Sequence, residues 1–219
     1  MHLIEYPDRD RLMSDLAVRL ARELREALEA GGRATLAVPG GTTPGPMFDA
    51  LAVAELDWES VTVLLTDERR VPADHERSNE RLLRERLLVG QAAEARFLRL
   101  VPENGDMTAV NDALRAVLPI SVLLLGMGAD MHTASLFPGS PDLFRAIAPG
   151  ATPLMAVEAS GDLEDRLTLT APALTGAAAT HILITGDDKR AALTRAADLP
   201  PEAAPVALVL PRATVHWAA

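Results

Sequence analysis

The chain predicts a doubly wound α/β fold, a mostly parallel sheet with helices on both faces. Three observations carry that expectation. Short apolar runs of strand length alternate with amphipathic helical segments, the pattern of parallel strands joined by crossover helices. Four of the runs end in polar loops: Gly40-Gly41-Thr42-Thr43-Pro44, Asp67-Glu68-Arg69, Asp130-Met131-His132 and Gly186-Asp187-Asp188-Lys189. In a parallel sheet such ends share one edge, where open α/β folds bind ligands. Finally, the apolar run 120–125 opens into the Gly-rich turn 126–139, which delivers one Asp and one His to that edge.

Taken in order, residues 11–30 place Leu12, Leu16, Leu20, Leu24 and Leu28 on one helical face, and Gly31-Gly32 ends the helix. A strand follows over 34–38, then a helix entered through Pro44 and carrying Met47, Phe48 and Leu51. Residues 61–65 form a second strand. A helix starts near Ser78 with Leu82, Leu83 and Leu87 on one side. Residues 97–101 read as a short strand, 107–118 as a helix and 120–125 as the apolar strand. Strands are expected over 154–157 and 166–169, and a helix over 172–179 with Pro at its first turn. A strand over 181–185 leads into a helix ending near 197, and 206–210 reads as the last strand. No repeat, low-complexity tract or linker interrupts this order, and the Pro- and Ala-rich stretch 198–205 is short enough for an ordinary loop. One domain over 1–219 is expected.

The 219 residues are 48% hydrophobic and 24% charged, ordinary for a globular protein. Aromatics make up only 3%, so the core must rest on Leu, Val and Ala, and base-stacking platforms have little material. A net charge of -10 argues against nucleic acid or an anionic membrane surface as partner, but not against a small anionic substrate met by local Arg and Lys. The absence of Cys removes disulfides, thiolate metal sites and Cys nucleophiles. No signal peptide is evident over residues 1–6, and no apolar run approaches the ~18 residues of a membrane span, which makes a cytoplasmic location the default.

Each polar loop admits a chemical and a purely structural reading. Gly40, Gly41, Thr42 and Thr43 read as an anion cradle of backbone amides and hydroxyls at a helix start, or as a tight turn with a Thr cap. Lys189 lies near a helix start, where the dipole disfavours a cation, so it reads as an anion ligand or a solvated lysine. Arg166 reads as a second anion ligand or as the partner of Asp165 or Glu164. The extended Asp67-Glu68-Arg69 segment reads as a strand end whose alternation turns Asp67 and Arg69 to the site and Glu68 inward or into a supporting place, or as a surface turn. Ser78 and Asn79 read as a helix cap. His132, two residues after Asp130, reads as a general base or a cap of the following segment. His2, His75, His181 and His216 look dispensable, and no two histidines have metal-ligand spacing.

Together, Pro39-Gly40-Gly41-Thr42-Thr43-Pro44, Thr66-Asp67-Glu68-Arg69-Arg70-Val71 with Asp74-His75 and Ser78-Asn79, the 126–139 turn, Arg166-Leu167-Thr168-Leu169-Thr170 and Gly186-Asp187-Asp188-Lys189 resemble the 6-phosphogluconolactonase family. The motifs occur in the family's order and cover most of the chain. The resemblance implies the Rossmann-like fold shared with glucosamine-6-phosphate deaminases and ribose-5-phosphate isomerases. It also implies hydrolysis of 6-phosphogluconolactone, a phosphorylated sugar lactone, without metal or organic cofactor. Gly40, Gly41, Thr42, Thr43, Arg166 and Lys189 would then hold the phosphate. His132 would activate water, Asp130 or Asp67 would orient the imidazole or the water, and Arg69 or a backbone amide would meet the oxyanion. Where the family pattern has Gly, this chain has Met131, and a left-handed Met costs on the order of 1–2 kcal/mol. Retained activity is expected if the turn tolerates Met. A side chain that crowds the substrate or displaces His132 would leave a non-catalytic sugar-phosphate-binding module. An isomerase or deaminase of the same fold, with Asp67 moving the proton, is the other alternative.

Overall fold

The computed structural model describes residues 1–102, 104–158 and 164–219. Strand β1 (His2–Glu5) leads into the long helix α1 (Arg9–Gly31), whose Asp8 side chain caps the Arg11 N–H. The leucine stripe works as its spacing requires: Leu12, Leu16, Leu20 and Leu24 are fully buried. Truncating any one of them to Ala should cost about 2–5 kcal/mol. Strands β2 (Ala34–Val38) and β3 (Val61–Leu65) flank helix α2 (Gly45–Ala52), and β3 is followed at once by the three-residue β4 (Asp67–Arg69). Helix α3 (Asn79–Arg86), β5 (Arg96–Leu98), α4 (Met107–Val117) and β6 (Val122–Gly126) come next. The chain continues through α5 (Leu143–Ala146), β7 (Leu154–Val157), β8 (Arg166–Leu169), α6 (Ala171–Thr175), β9 (Ala179–Thr185), α7 (Asp187–Ala196) and β10 (Ala213–Ala218).

Seven strands form one parallel sheet in the order β1-β10-β9-β6-β2-β3-β5. From β2 the chain first builds outward through β3 and β5, then returns to β2's other side with β6, β9 and β10. The order therefore reverses between β2 and β6, and the carboxyl ends of these two strands bound the crevice where doubly wound sheets take ligands.

Two expectations change. Residues 206–210 are not a strand: Pro205–Leu208 and Leu210–Arg212 are 3-10 turns, each with Pro in its first turn, and the last strand is β10. Pro lacks the N–H that a strand between neighbours must donate. Nor do 154–157 and 166–169 join the parallel sheet. β8 pairs antiparallel with β4 on one side and with β7 on the other, in a second sheet of order β4-β8-β7. The two sheets are stitched at Thr66, whose N–H donates to the Val38 carbonyl and whose carbonyl accepts from the Leu169 N–H, at 2.9 and 2.8 Å. The second sheet thereby stands over the carboxyl edge of the first.

The two histidines of the inner strands are not loose ends. His181 and His216 are 2% and 0% exposed and belong to a chain reaching from Tyr6 to α1. Tyr6 Oη lies 2.8 Å from His216 Nδ1, His216 Nε2 lies 3.0 Å from His181 Nδ1, and His181 Nε2 lies 2.6 Å from Glu23 Oε2. With both rings neutral, the bonds all donate toward Glu23, each nitrogen having one partner. Burial and the adjacent His181 hold the His216 imidazole down to about 3. Burial pushes Glu23 up, but its bonds to His181 and Arg19 outweigh that and lower it.

A folded His216 that stays neutral while the unfolded chain protonates near 6.5 means that unfolding takes up a proton between those values. Stability is therefore retained above about pH 6.5 and falls as the pH drops, by up to about 1.4 kcal/mol per unit from this residue. Glu23 adds to the loss at lower pH. Urea unfolding of wild type and His216→Phe between pH 7 and pH 5 should show a shallower pH slope for the variant. Parallel slopes would assign the acid sensitivity elsewhere.

Candidate active site

At the mouth of the β2/β6 crevice lies a cavity of about 380 Å³. The 39–44 loop, β4, the 126–137 turn, Arg166 and Lys189 surround it. Segments nearly 150 residues apart meet here because four separate connections return to one edge of the sheet.

The turn after β6 is built by its own side chains. Thr133 Oγ1 donates to the Gly126 carbonyl at 2.8 Å, and the His132 carbonyl accepts from the Gly128 N–H at 3.0 Å. His132 Nδ1 is 2.6 Å from Asp130 Oδ1, and the same oxygen accepts from the His132 backbone N–H at 3.2 Å. A carboxylate only accepts, so Nδ1 carries the proton of the bond, and in the neutral ring the lone pair is then on Nε2. The ring packs against Phe137 with centroids 4.7 Å apart and borders the cavity. Gly128 makes this pair possible: a Cβ there would lie 2.2 Å from His132 Nδ1 and 2.3 Å from Asp130 Oδ1.

Of the two acids open as partners for the imidazole, only Asp130 is bonded to it. Asp67 instead accepts from Ser135 Oγ at 2.6 Å, with the Thr66 hydroxyl at 3.3 Å from its other oxygen. Asp130 itself stands behind the ring and does not line the cavity.

Met131 does take the left-handed conformation, with φ of 70°. Its side chain does not border the cavity but packs against the hydrophobic core, and its carbonyl accepts from the Val206 N–H at 3.2 Å. The substitution is paid for in backbone strain, not in crowding of the site.

The β4–β8 register decides the opposite wall. Asp67 faces Thr168, Glu68 faces Leu167 and Arg69 faces Arg166. Alternation puts Asp67 and Arg69 on the cavity side and Glu68, 2% exposed, behind it. Two arginines directly opposite on paired strands repel each other. Burial, and then Arg69, lowers Arg166 from the usual arginine value. Its expected acidic partners are engaged elsewhere, Glu164 with Arg77 at 3.0 Å and Asp165 with Arg70 at 3.8 Å; Arg166 Nε bonds only the Glu164 backbone carbonyl. Lys189, the only lysine in the chain, lies in the first turn of α7, borders the cavity and has no ion-pair partner among the described residues. The twenty other basic positions carry Arg, so Lys189 brings to the cavity the one compact ammonium of the chain. Arg69, Arg166 and Lys189 form a cationic wall of the cavity.

Gly40, Gly41 and Thr43 border the cavity; Thr42 does not, being exposed with its carbonyl closing the turn onto the Gly45 N–H at 3.2 Å. Ser78 caps α3 as expected, accepting from the Arg81 N–H at 3.2 Å. Asn79 is more than a cap. It borders the cavity, and its amide packs so closely under the 39–44 loop that a Cβ at Gly40 would lie 2.0 Å from it. Asn79, Ser135 and Glu68 make contacts that local sequence does not reveal, because most of their partners sit on other elements of the fold.

A family model described as glucosamine-6-phosphate isomerases/6-phosphogluconolactonase matches residues 7–217. The chain is 40% identical to a 6-phosphogluconolactonase of Rhizobium meliloti, with 100% of this chain and 98% of the relative covered. It is 42% identical to one of Pseudomonas putida, covering 88% and 81%. A crystal structure of a 6-phosphogluconolactonase from Shewanella baltica superimposes with a TM-score of 0.93 at 32% identity, covering 100% and 98%.

Gly128→Ala should break the His132–Asp130 bond, seen as loss of the downfield Nδ1–H proton signal of His132. Its persistence would show that the turn adjusts. Met131→Gly should relieve about 1–2 kcal/mol of left-handed strain, partly offset by lost packing, and leave that signal in place. A vanished signal would mean that Met131 holds the dyad.

Proposed function

The chain belongs to the glucosamine-6-phosphate isomerase/6-phosphogluconolactonase family, and from that premise we propose that it hydrolyses 6-phospho-D-glucono-1,5-lactone to 6-phospho-D-gluconate. The whole of 1–219 acts as one lactonase domain in the oxidative pentose phosphate pathway. A cytoplasmic setting fits that pathway, and no helix among the described residues is long and apolar enough to cross a membrane. The observation that carries the reading is the His132–Asp130 pair, with a free Nε2 at a cavity whose wall also holds unneutralised Arg69, Arg166 and Lys189.

Arg166, Lys189 and the backbone of Gly40 and Gly41 hold the phosphate, with the Thr43 side of the loop. Anchoring that end places the lactone carbonyl near His132. Nε2 of His132 takes a proton from water as the water oxygen bonds to the carbonyl carbon. Asp130 keeps the tautomer and stabilises the imidazolium. The oxyanion of the tetrahedral intermediate is met by Arg69, since the Gly128 N–H is already committed to the His132 carbonyl. On collapse the bond from carbonyl carbon to ring oxygen breaks, and His132 returns its proton to that oxygen. The products are a hydroxyl and the carboxylic acid, which ionises.

Two features weigh against the alternatives. Both Asp67 oxygens have hydroxyl partners, so Asp67 is placed to hold Ser135 rather than shuttle a proton for an isomerase or deaminase. The Met131 side chain lies on the core, which removes the crowding that a binding-only module required.

Against the spontaneous rate with freshly made lactone, His132→Ala should lower kcat by about 100-fold or more with little change in KM. Near-wild-type turnover would end the base assignment. Lys189→Arg should behave like Lys189→Ala, raising KM more than it lowers kcat, because the planar guanidinium cannot take the ammonium's place. A large kcat loss at constant KM would move Lys189 from the phosphate to the reacting end.

A further inference from the structure

Arg69 sits on a three-residue strand, has no ion-pair partner among the described residues, and its Nε is buried without a hydrogen-bond partner. Something other than its own neighbours in the cavity must aim it. The support comes from behind. The Glu68 carboxylate accepts four hydrogen bonds. Oε1 takes the backbone N–H of Arg69 at 2.6 Å and of Asn79 at 2.9 Å; Oε2 takes the backbone N–H of Glu80 at 2.6 Å and the Ser78 hydroxyl at 3.1 Å. Three of these donors are the cap and first two residues of α3, so the carboxylate closes the positive end of that helix. Burial pushes Glu68 up, and the four donors pull it back down.

Helix α3, docked this way, delivers Asn79. Its Nδ2 donates to the Asp67 carbonyl at 2.9 Å, and its Oδ1 accepts from Arg69 Nη1 at 3.3 Å. The same Nη1 donates to the Arg77 carbonyl. The guanidinium is thus gripped by one nitrogen, on residues whose place depends on the clamp.

We propose that Glu68 is a positioning residue for the hydrolysis: it locks the N-terminus of α3 to the back of β4 and so sets, through Asn79, the direction of the Arg69 guanidinium at the cavity. The role rests on the lactonase reading and adds to it a buried acid that touches no substrate. A carboxylate that only stabilised α3 would not act through Arg69, and this separates the two roles. Glu68→Gln keeps the size of the side chain, but whichever way the amide turns, its NH2 group faces at least one backbone N–H, which has nothing to accept with.

The test measures kcat and KM for wild type, Glu68→Gln, Arg69→Ala and the double variant, with thermal unfolding alongside. The guanidinium N–H signals of Arg69 are followed by NMR without substrate. Glu68→Gln should lower kcat about 10- to 100-fold with KM within about threefold, and should add almost nothing in the Arg69→Ala background. Hindered Arg69 signals in wild type should broaden as the group is released. Asn79→Ala, which keeps the backbone donors to Glu68, should lower kcat comparably and serves if Glu68→Gln does not fold. Wild-type kcat in Glu68→Gln, or in Asn79→Ala where that variant stands in, overturns the proposal, as do fully multiplicative losses in the double variant. A wild type no faster than spontaneous hydrolysis would sink the lactonase reading itself, and the Arg69 signals would still decide the clamp: unchanged signals in the variant overturn it.

Discussion

Pairing between β2 and β6 is the constraint on which the site depends. The two strands share only the pairs Leu36↔Val122 and Ala37↔Leu123. Beyond Ala37 they part, one chain turning through Gly40 and the other through Gly128. A doubly wound sheet must open a crevice where its winding reverses. Here the opening falls between two Gly-containing turns, so backbone and short side chains can come close without filling it. Everything else at the site is set relative to this gap: His132 from one side, the 39–44 loop from the other, and the small antiparallel sheet above.

The electrostatics run against the composition. A chain with 31 acidic and 21 basic side chains presents Arg69, Arg166 and Lys189 to one cavity. Nearby acids are diverted: Asp67 to Ser135, Glu164 to Arg77, Asp165 to Arg70 and Glu68 to the start of α3. Cross-strand placement of Arg69 opposite Arg166 costs stability in the free protein.

The buried Tyr6–His216–His181–Glu23 chain is the opposite kind of polar network. Its ring nitrogens are all paired, and it lies away from the cavity, where it fixes α1 to the β9–β10 strands. Satisfied polar groups rigidify a core. The site instead leaves selected donors and one imidazole nitrogen open. That contrast separates the buried His181 and His216 from His132, which borders the cavity, although all are the same residue type in the sequence.

Local pattern was enough for much of the molecule. Strands 34–38, 61–65, 154–157 and 166–169 have the bounds that their apolar runs suggest, and Leu12, Leu16, Leu20 and Leu24 of the α1 stripe are buried as its period demands, Leu28 only partly. The motif loops were legible too, as was the inward turn of Glu68, because alternation along a strand is a local property. Non-local pairing was not. The run 206–210 is as apolar as a strand, but its flanking prolines cannot donate to neighbours, while β10, with His216 inside, finds its partners only in the assembled sheet. Membership of β7 and β8 in a second sheet, Asp130 rather than Asp67 at the imidazole, the left-handed Met131 with its side chain on the core and the reach of Asn79 to Arg69 all depend on register between distant segments. The sequence by itself determined which residue types arrive at the carboxyl edge, since periodicity and turn chemistry act within a few residues. Only the tertiary structure decided which of them touch, because a hydrogen bond of about 3 Å is settled by how strands and helices pack, not by where they lie along the chain.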